Sequence, residues 1–264
     1  MIDAHVHLWQ LGRNACTWPT PDLNAIYRDF ELDDARNVLT ESGVEAAILV
    51  QSQEDPADTA WLLKVAQVAE IAAVIGWADL SSPADVAALA AHSKLRGLRP
   101  MVQGCAADWY DDPVRDAGFA AMAAHGLVLD ALIRPVHLPA LARLADRYPG
   151  LTIVIDHAAK PDPGDPTGWR EAIAQAAARP NIACKLSGLL TELAPGQDAA
   201  ALDPIHAHLW QCFGPERLLW GSDWPVVTLR GDYPGWLALA RAWVPAQHHH
   251  SVFDTNARRL YRLA

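Results

Sequence analysis

The sequence predicts an α/β protein, a (β/α)8 TIM barrel with an extra C-terminal helix, and three observations predict it. Eight apolar runs alternate with stretches of helical periodicity along the 264 residues, and apolar strands separated by helices mark a parallel sheet covered on both faces. No strand is followed by GxGxxG or a P-loop, which counts against an open nucleotide-binding sheet, and eight βα units of this length fit a closed barrel. Finally, polar groups lie at opposite ends of the chain, Asp3-Ala4-His5-Val6-His7 at the start and Leu219-Trp220-Gly221-Ser222-Asp223 near the end. They can meet if the first and last strands are neighbours, which a closed barrel provides. The chain reads as one domain over 1–264.

Each element follows from local pattern. The first strand carries His5 and His7 at i and i+2, hence on one face. Residues 11–30 are rich in turn formers and hold Trp18-Pro19 and Tyr27; unstructured connections this long are usually functional, so they are expected over the barrel mouth. A helix over 33–42 leads to Ala46-Ala47-Ile48-Leu49-Val50-Gln51, a buried strand ending in a polar residue. A helix over 56–70 starts on Pro56 and precedes a strand over 72–77 and Asp79. Ser81 and Ser82 are cap candidates for a helix over 83–92. The strand over 95–100 contains Arg99 and opens a second long loop through Trp109 and Tyr110. Then come a helix over 113–125, a strand over 127–133, a helix over 138–148 and a strand over 151–157 that ends in His157. A helix over 168–178, a strand over 182–187 and a helix over 199–213 lead to the last strand, where Leu219, Gly221 and Asp223 share a face. Helices over 233–243 and 256–263 close the chain.

Composition narrows the partners. With 51% hydrophobic and 20% charged residues the chain can bury a large core. A formal net charge of −10 leaves no basic stripe for nucleic acid. No apolar run reaches membrane-spanning length, and a strand predicted from Ile2 leaves no room for a signal peptide, so a cytoplasmic protein without membrane association is expected. Cys16, Cys105, Cys184 and Cys212 lack CxxC spacing, so buried thiols are expected rather than disulfides or a thiolate metal site. Oligomeric state stays open, a homo-oligomer included.

Barrel active sites lie at the C-terminal ends of the strands. Those ends hold His5, His7, Gln51, Asp79, Arg99, Arg134, His157, Lys185 or Ser187, and Asp223. Singly, an Asp after a strand is commonly a cap and a buried His commonly a satisfied core residue. Together, three His and one Asp on strands one, six and eight suit one divalent metal, zinc, manganese or iron. Of the 11 Trp, Trp9, Trp77, Trp109 and Trp224 fall near strand ends, where an aromatic can wall a pocket or stack on a sugar face. His248-His249-His250 is expected to be a solvated loop.

Five segments, Ile2-Asp3-Ala4-His5-Val6-His7-Leu8-Trp9, Val154-Ile155-Asp156-His157-Ala158-Ala159-Lys160-Pro161, Cys184-Lys185-Leu186-Ser187-Gly188-Leu189, Leu219-Trp220-Gly221-Ser222-Asp223-Trp224-Pro225 and Asn256-Ala257-Arg258-Arg259-Leu260-Tyr261, resemble in order the amidohydrolase superfamily. The nearer likeness is to its branch of sugar-acid and dicarboxylate lactonases. The resemblance implies that His5, His7, His157 and Asp223 line the site and that Asp223 activates water. It implies one zinc or manganese ion, or metal-free hydrolysis as in some lactonases of the branch. A binuclear centre is not expected, because the fourth strand ends in Arg99 where a bridging residue would stand.

Lactone hydrolysis needs a nucleophilic water, a polarised carbonyl and a proton for the leaving alkoxide. On this expectation Asp223 takes the water proton, and His5, His7 and His157 polarise the carbonyl or hold the water. Arg99, or less favourably Arg134, binds a carboxylate, and Lys160 and Lys185 donate to hydroxyls. Gln51, Trp9, Trp77 and Trp224 complete the expected substrate contacts. The alternatives are a metal-dependent decarboxylase of the same superfamily and a non-catalytic sugar-acid binder. No G-x-S-x-G elbow supports a serine hydrolase.

Overall fold

The computed structural model describes residues 1–263. Eight parallel strands stand in chain order in one sheet: β1 (Ile2–Val6), β2 (Ala46–Val50), β3 (Ile71–Gly76), β4 (Leu95–Leu98), β5 (Val128–Ala131), β6 (Ile153–Ile155), β7 (Ile182–Leu186) and β8 (Leu218–Trp220). Helices α1 (Leu32–Glu41), α2 (Pro56–Val65), α3 (Pro83–Ala90), α4 (Asp116–His125), α5 (Leu138–Arg147), α6 (Thr167–Ala177), α7 (Asp203–Arg217) and α8 (Tyr233–Trp243) follow the strands in turn, and α9 (Asn256–Leu260) ends the fold. Closure between β8 and β1 occurs just past β8. Val6 bridges Trp224 in parallel, His7 N–H donates to Trp224 O at 2.8 Å, and Asp223 N–H donates to His5 O at 2.9 Å.

Side chains leave the strands alternately on two faces. Leu49, Leu129 and Ile153 pack with Leu62, Leu141 and Ile173 of the helices in the main core. Ile48, Val50, Ile75, Val128, Val154 and Leu219 form a second cluster, which Ala257 and Tyr261 at the C-terminal end join. β4 supplies Gly97 beside it, where an added Cβ would lie 2.5 Å from Val128 O. A register shift between Asp3 and Val6 interrupts regular pairing in β1. Asp3 accepts from Tyr233 of α8, while His5 sits beside Lys185 of β7.

Several boundaries differ from expectation. α2 stops at Val65 instead of 70, because the chain turns back to enter β3; Lys94 Nζ holds that turn through the carbonyls of Val68 and Ile71. Tight 3-10 turns, Pro113–Arg115 and Ala199–Leu202, precede α4 and α7. α7 loses helical geometry at Gly214, just before Pro215. Cys16 and Cys184 are buried as expected, but Cys105 is exposed and Cys212 half-buried. His248 and His249 are half-buried, and His249 Nε2 meets the carbonyls of Arg241 and Val244, so that stretch is not a freely solvated loop. Among the described residues no helix is long and apolar enough to cross a membrane.

Candidate active site

The closing seam of the barrel carries the polar cluster. His5 lies in β1 and His7 just after it; Asp223 follows β8 and His157 follows β6. Asp223 Oδ1 is 3.4 Å from His7 Nε2, 3.7 Å from His5 Nε2 and 3.9 Å from His157 Nε2, and the two Nε2 atoms of His5 and His7 are 3.1 Å apart. All four residues are at most 4% exposed. Local backbone makes this possible. Residues 157–160 all have left-handed φ, as does Asp223 at 58°, conformations that cost L-residues about 1–2 kcal/mol each and cluster at functional sites. Gly188 (φ 60°) leaves the room: an added Cβ would sit 2.4 Å from His157 Nδ1 and 3.0 Å from Asp223 Oδ2.

Each imidazole is aimed by its other nitrogen. His7 Nδ1 meets Val50 O at 2.8 Å and His157 Nδ1 meets Ser187 Oγ at 2.9 Å. His5 Nδ1 lies 3.2 Å from Lys185 Nζ and 3.5 Å from Asp156 Oδ1. Burial lowers the pKa of all three: His157 to about 4, His5 well below its ordinary value with the Lys185 charge adding to the effect, and His7 against the opposing pull of Asp223. All three are therefore neutral near pH 7. Burial alone would raise the pKa of Asp223, but His157, His7 and His5 outweigh it and hold the carboxyl well below the usual range. Under the cluster, Lys185 Nζ is 2.5 Å from Asp130 Oδ2 and 2.9 Å from Asp156 Oδ1, and Tyr261 donates to Asp130 Oδ1 at 2.8 Å. Desolvation works against the Lys185 charge, and the two carboxylates more than restore it.

Above the cluster opens a cavity of about 1040 Å³. His7, His157, Asp223, Arg99, Arg134 and Lys160 line it, as the sequence suggests. His5 lies beneath them. Gln51 is fully buried, its Nε2 donating to Arg99 O at 2.7 Å, and is not part of the lining. Trp9, Trp77, Trp109 and Trp224 are not in the lining either; the aromatic that reaches it is Trp18. Trp9 donates to Arg28 O and packs edge-on against Trp18 and Phe30, Phe30 in turn meets Trp224, and Trp109 packs on Tyr110 under Arg115. Trp77 is held through its backbone by Thr59. Asp79 is exposed and binds Ser81 N–H. Lys185, 0% exposed and committed to two carboxylates, cannot reach a hydroxyl in the cavity.

The amidohydrolase family model matches residues 2–263. The chain belongs to the amidohydrolase family. It is 46% identical to the L-fucono-1,5-lactonase of Burkholderia ambifaria over 99% of this chain and 95% of that protein. It is 33% identical to the L-fucono-1,5-lactonase of Burkholderia multivorans, over 99% and 96% of the two. The crystal structure of an amidohydrolase from Burkholderia multivorans with bound zinc matches with a TM-score of 0.93 at 32% identity, covering 100% of this chain and 99% of that one.

The amidohydrolase cluster fits one divalent ion. Tetrahedral ligands 2.0–2.1 Å from a metal stand about 3.4 Å apart; the three distances from the imidazoles to Asp223 Oδ1 and the His5–His7 distance run from 3.1 to 3.9 Å. His5, His157 and Asp223 all have ligand atoms within 4.8 Å of one another. Neutral imidazoles, an ionised carboxylate and Nδ1 atoms each held by a polar group form the donor and outer shells that metal sites use. Beside this place Arg99 Nη1 lies 3.4 Å from His5 Nε2, while its Nη2 donates to Gln51 O. A permanent guanidinium thus stands where a second cation would be repelled. Three supports escaped the sequence reading, Asp130 and Asp156 under Lys185, and Gln53 beside Trp18. The available signals were a lone Asp in the apolar strand β5 and a charged pair, Asp156-His157, at the end of β6.

Proposed function

We propose that this chain hydrolyses the ring ester of a sugar-acid lactone, with L-fucono-1,5-lactone and related aldonolactones as the substrates to try first. The 46% identity over nearly the whole length to a protein of that activity carries the reading, and the seam cluster supplies chemistry that suits it. The charge of the cavity favours a neutral lactone over a dicarboxylate. Arg99 is 3.5 Å from Asp156 and Lys160 is 3.4 Å from Glu192. Arg134 is the lining cation with no ion pair among the described residues, and Glu54 and Asp55 also line the space.

His5, His7 and His157 through Nε2, and Asp223 through Oδ1, would hold the ion. When bound, a divalent ion there contributes Lewis acidity, making water more acidic and a carbonyl more electrophilic. The rest belongs to the chain. Asp223 Oδ1 faces the imidazoles, which leaves Oδ2 to take a proton from the attacking water. As the ring C–O bond breaks, the same carboxyl returns that proton to the departing alkoxide oxygen, so that a carboxylic acid and a hydroxyl result, and the acid then releases its proton to solvent. Arg99, fixed by Gln51 and Asp156, adds positive charge beside the developing oxyanion.

Proton release from a panel of aldonolactones and dicarboxylate lactones tests the proposal, run after chelation and again with zinc or manganese restored. The expected result is fast hydrolysis of a neutral aldonolactone, lost in Asp223→Asn by about 10²–10⁴-fold with the fold intact. No hydrolysis of any lactone under either condition, or an undiminished rate in Asp223→Asn, refutes it.

A further inference from the structure

One wall of the cavity comes from the long segment after β1, through Ala15, Thr17 and Trp18, and one side chain fastens that wall to the strand ends. Gln53, 5% exposed, lies three residues past β2. Its Oε1 accepts from Thr17 N–H at 3.0 Å and Trp18 N–H at 3.3 Å, with Thr17 Oγ1 at 3.4 Å. Its Nε2 donates to Trp18 O at 2.8 Å and Ser52 Oγ at 3.0 Å, with Cys16 Sγ at 3.8 Å. A primary amide has two N–H donors and two oxygen lone pairs. Here all four are committed within the protein. Gln53 therefore lines the cavity without a polar valence left for a ligand.

The fastening continues outward. Ser52 N–H and Gln53 N–H donate to Asp58 Oδ2 at 3.0 and 3.3 Å, and Asp58 is a 1% exposed residue in the first turn of α2. At its base the segment is held by the Trp9–Phe30 bridge and by Leu11 N–H donating to Asp29. Residues 17 and 18, farther out, have Gln53 as the side chain that ties them to the strand ends, helped by Cys16 Sγ donating to Trp18 O at 3.1 Å within the segment and by the edge-on contact of Trp18 with Trp9 at 5.4 Å.

We propose that Gln53 is a positioning residue that sets the Trp18 wall and so governs substrate affinity rather than the chemical step. The kinetic part rests on the lactonase reading; the structural part does not. An amide bonded to both the N–H and the C=O of Trp18 fixes the two peptide planes that flank its Cα, and hence the direction in which the indole, which can lie along the apolar face of a sugar ring, enters the cavity. Gln53→Glu keeps the acceptor oxygen, loses both donors and sets a carboxylate against the Trp18 carbonyl. Gln53→Ala removes the anchor altogether.

Hydrogen exchange and steady-state kinetics on the full chain test this together. Gln53→Ala, which removes the acceptor, is expected to speed exchange at Thr17 and Trp18 at least tenfold, and Gln53→Glu, which keeps it, by less, with β1 and β8 unchanged in both. Both should raise KM for the lactone at least tenfold and lower kcat by no more than threefold. Trp18→Ala should raise KM similarly, and adding Gln53→Ala to it should change KM by less than a further threefold, because both act through one wall. Unchanged exchange at residues 17 and 18, a fall in kcat with KM unmoved, or full additivity overturns the proposal. Should the wild type turn over no lactone, the lactonase reading fails and exchange alone decides. Should the Gln53 variants not fold, the wild type decides: Thr17 and Trp18 amides must exchange at least tenfold more slowly than Asn14 and Thr20, corrected for intrinsic rates, and equal rates overturn the assignment.

Discussion

Lys185→Met probes the charge network beneath the site. Methionine matches lysine in reach and flexibility but carries no charge, so the change leaves Asp130 and Asp156 buried without their common cation, 2.5 and 2.9 Å from the lost Nζ. Removing one partner of a buried ion pair costs about 3–5 kcal/mol, a large share of a total stability of about 5–15 kcal/mol. The cost should depend on pH in a definite direction. Burial already outweighs the lysine charge and lifts Asp130 to about 6; without Lys185 its folded pKa rises further above the unfolded value of about 3.9. A group raised in the folded state lends stability in full below its unfolded pKa and loses it as pH rises through the folded one. The deficit of the variant is therefore greatest above neutrality and shrinks on acidification, at up to about 1.4 kcal/mol per pH unit for one proton. Urea denaturation of wild type and variant at about pH 7.5 and about pH 5.5 should show the deficit falling by about 2 kcal/mol at the lower pH. A deficit below about 1 kcal/mol, or one equal at both pH values, would refute the reasoning.

Gly188→Ala places a Cβ 2.4 Å from His157 Nδ1 at a φ of 60°; it should destabilise by about 1–2 kcal/mol and, by moving His157, cut kcat/KM by about 10², both measurable on the purified variant. If the seam cluster holds a divalent ion, chelation should lower the thermal midpoint. At a free ion concentration of about 100 Kd the linkage is worth about 2.7 kcal/mol, or about 5–10 °C for a chain of this size, and His5→Ala should abolish the chelator effect in a thermal scan. His206, stacked on Trp243 at 4.9 Å with its Nε2 unpartnered, has a pKa lowered by burial to about 4. Its contribution is present above the unfolded pKa of about 6.5 and is lost as pH falls through the folded value. After discounting for partial solvent access it amounts to about 1–2 kcal/mol, and His206→Gln should flatten the acid limb of stability between about pH 6.5 and 4.

The barrel was legible because its strands are apolar on both faces and its helices are punctuated by Pro and capping residues. Ile153, Val154 and Ile155 need no tertiary information to read as a buried strand. The convergence of His5, His7, His157 and Asp223 was legible for a related reason: a His or Asp that ends an apolar strand can face only the mouth or a partner. The tryptophans were not. Trp9 stands near a strand end and Trp18 within the long loop, and which of them reaches the cavity depends on Gln53 and Phe30, which touch them only in three dimensions. Lys185 misled in the opposite way. Its position suggested the cavity, but Asp130 and Asp156 hold its ammonium below the floor, and no pattern within β7 announces partners supplied by β5 and the end of β6.

The placement of the donors at the closing seam has its own physical logic. A metal or a transition state needs its ligands within about 0.5 Å of a productive geometry, which loops rarely provide and hydrogen-bonded strand ends do. The bonds that close this barrel are made by the same residues that supply the donors: Asp223 N–H to His5 O, His7 N–H to Trp224 O, and Ser222 N–H to Asp3 Oδ1 at 2.8 Å. Gly221 lets the strands approach so closely that a Cβ there would lie 2.6 Å from His5 Cβ. Closing the barrel and assembling three of the four donors are therefore one event, and the main chain fixes their spacing before any ligand arrives. The fourth, His157, enters from the far side on a left-handed turn whose strain would relax in an isolated loop. It persists because Ala158 and Ala159 are fully buried and Trp169 donates to Ala158 O at 2.7 Å. At the strand ends the left-handed backbone falls on residues 157–160 and on Asp223, where the chain leaves β6 and β8 toward the cavity, and the regular barrel around them holds it in place.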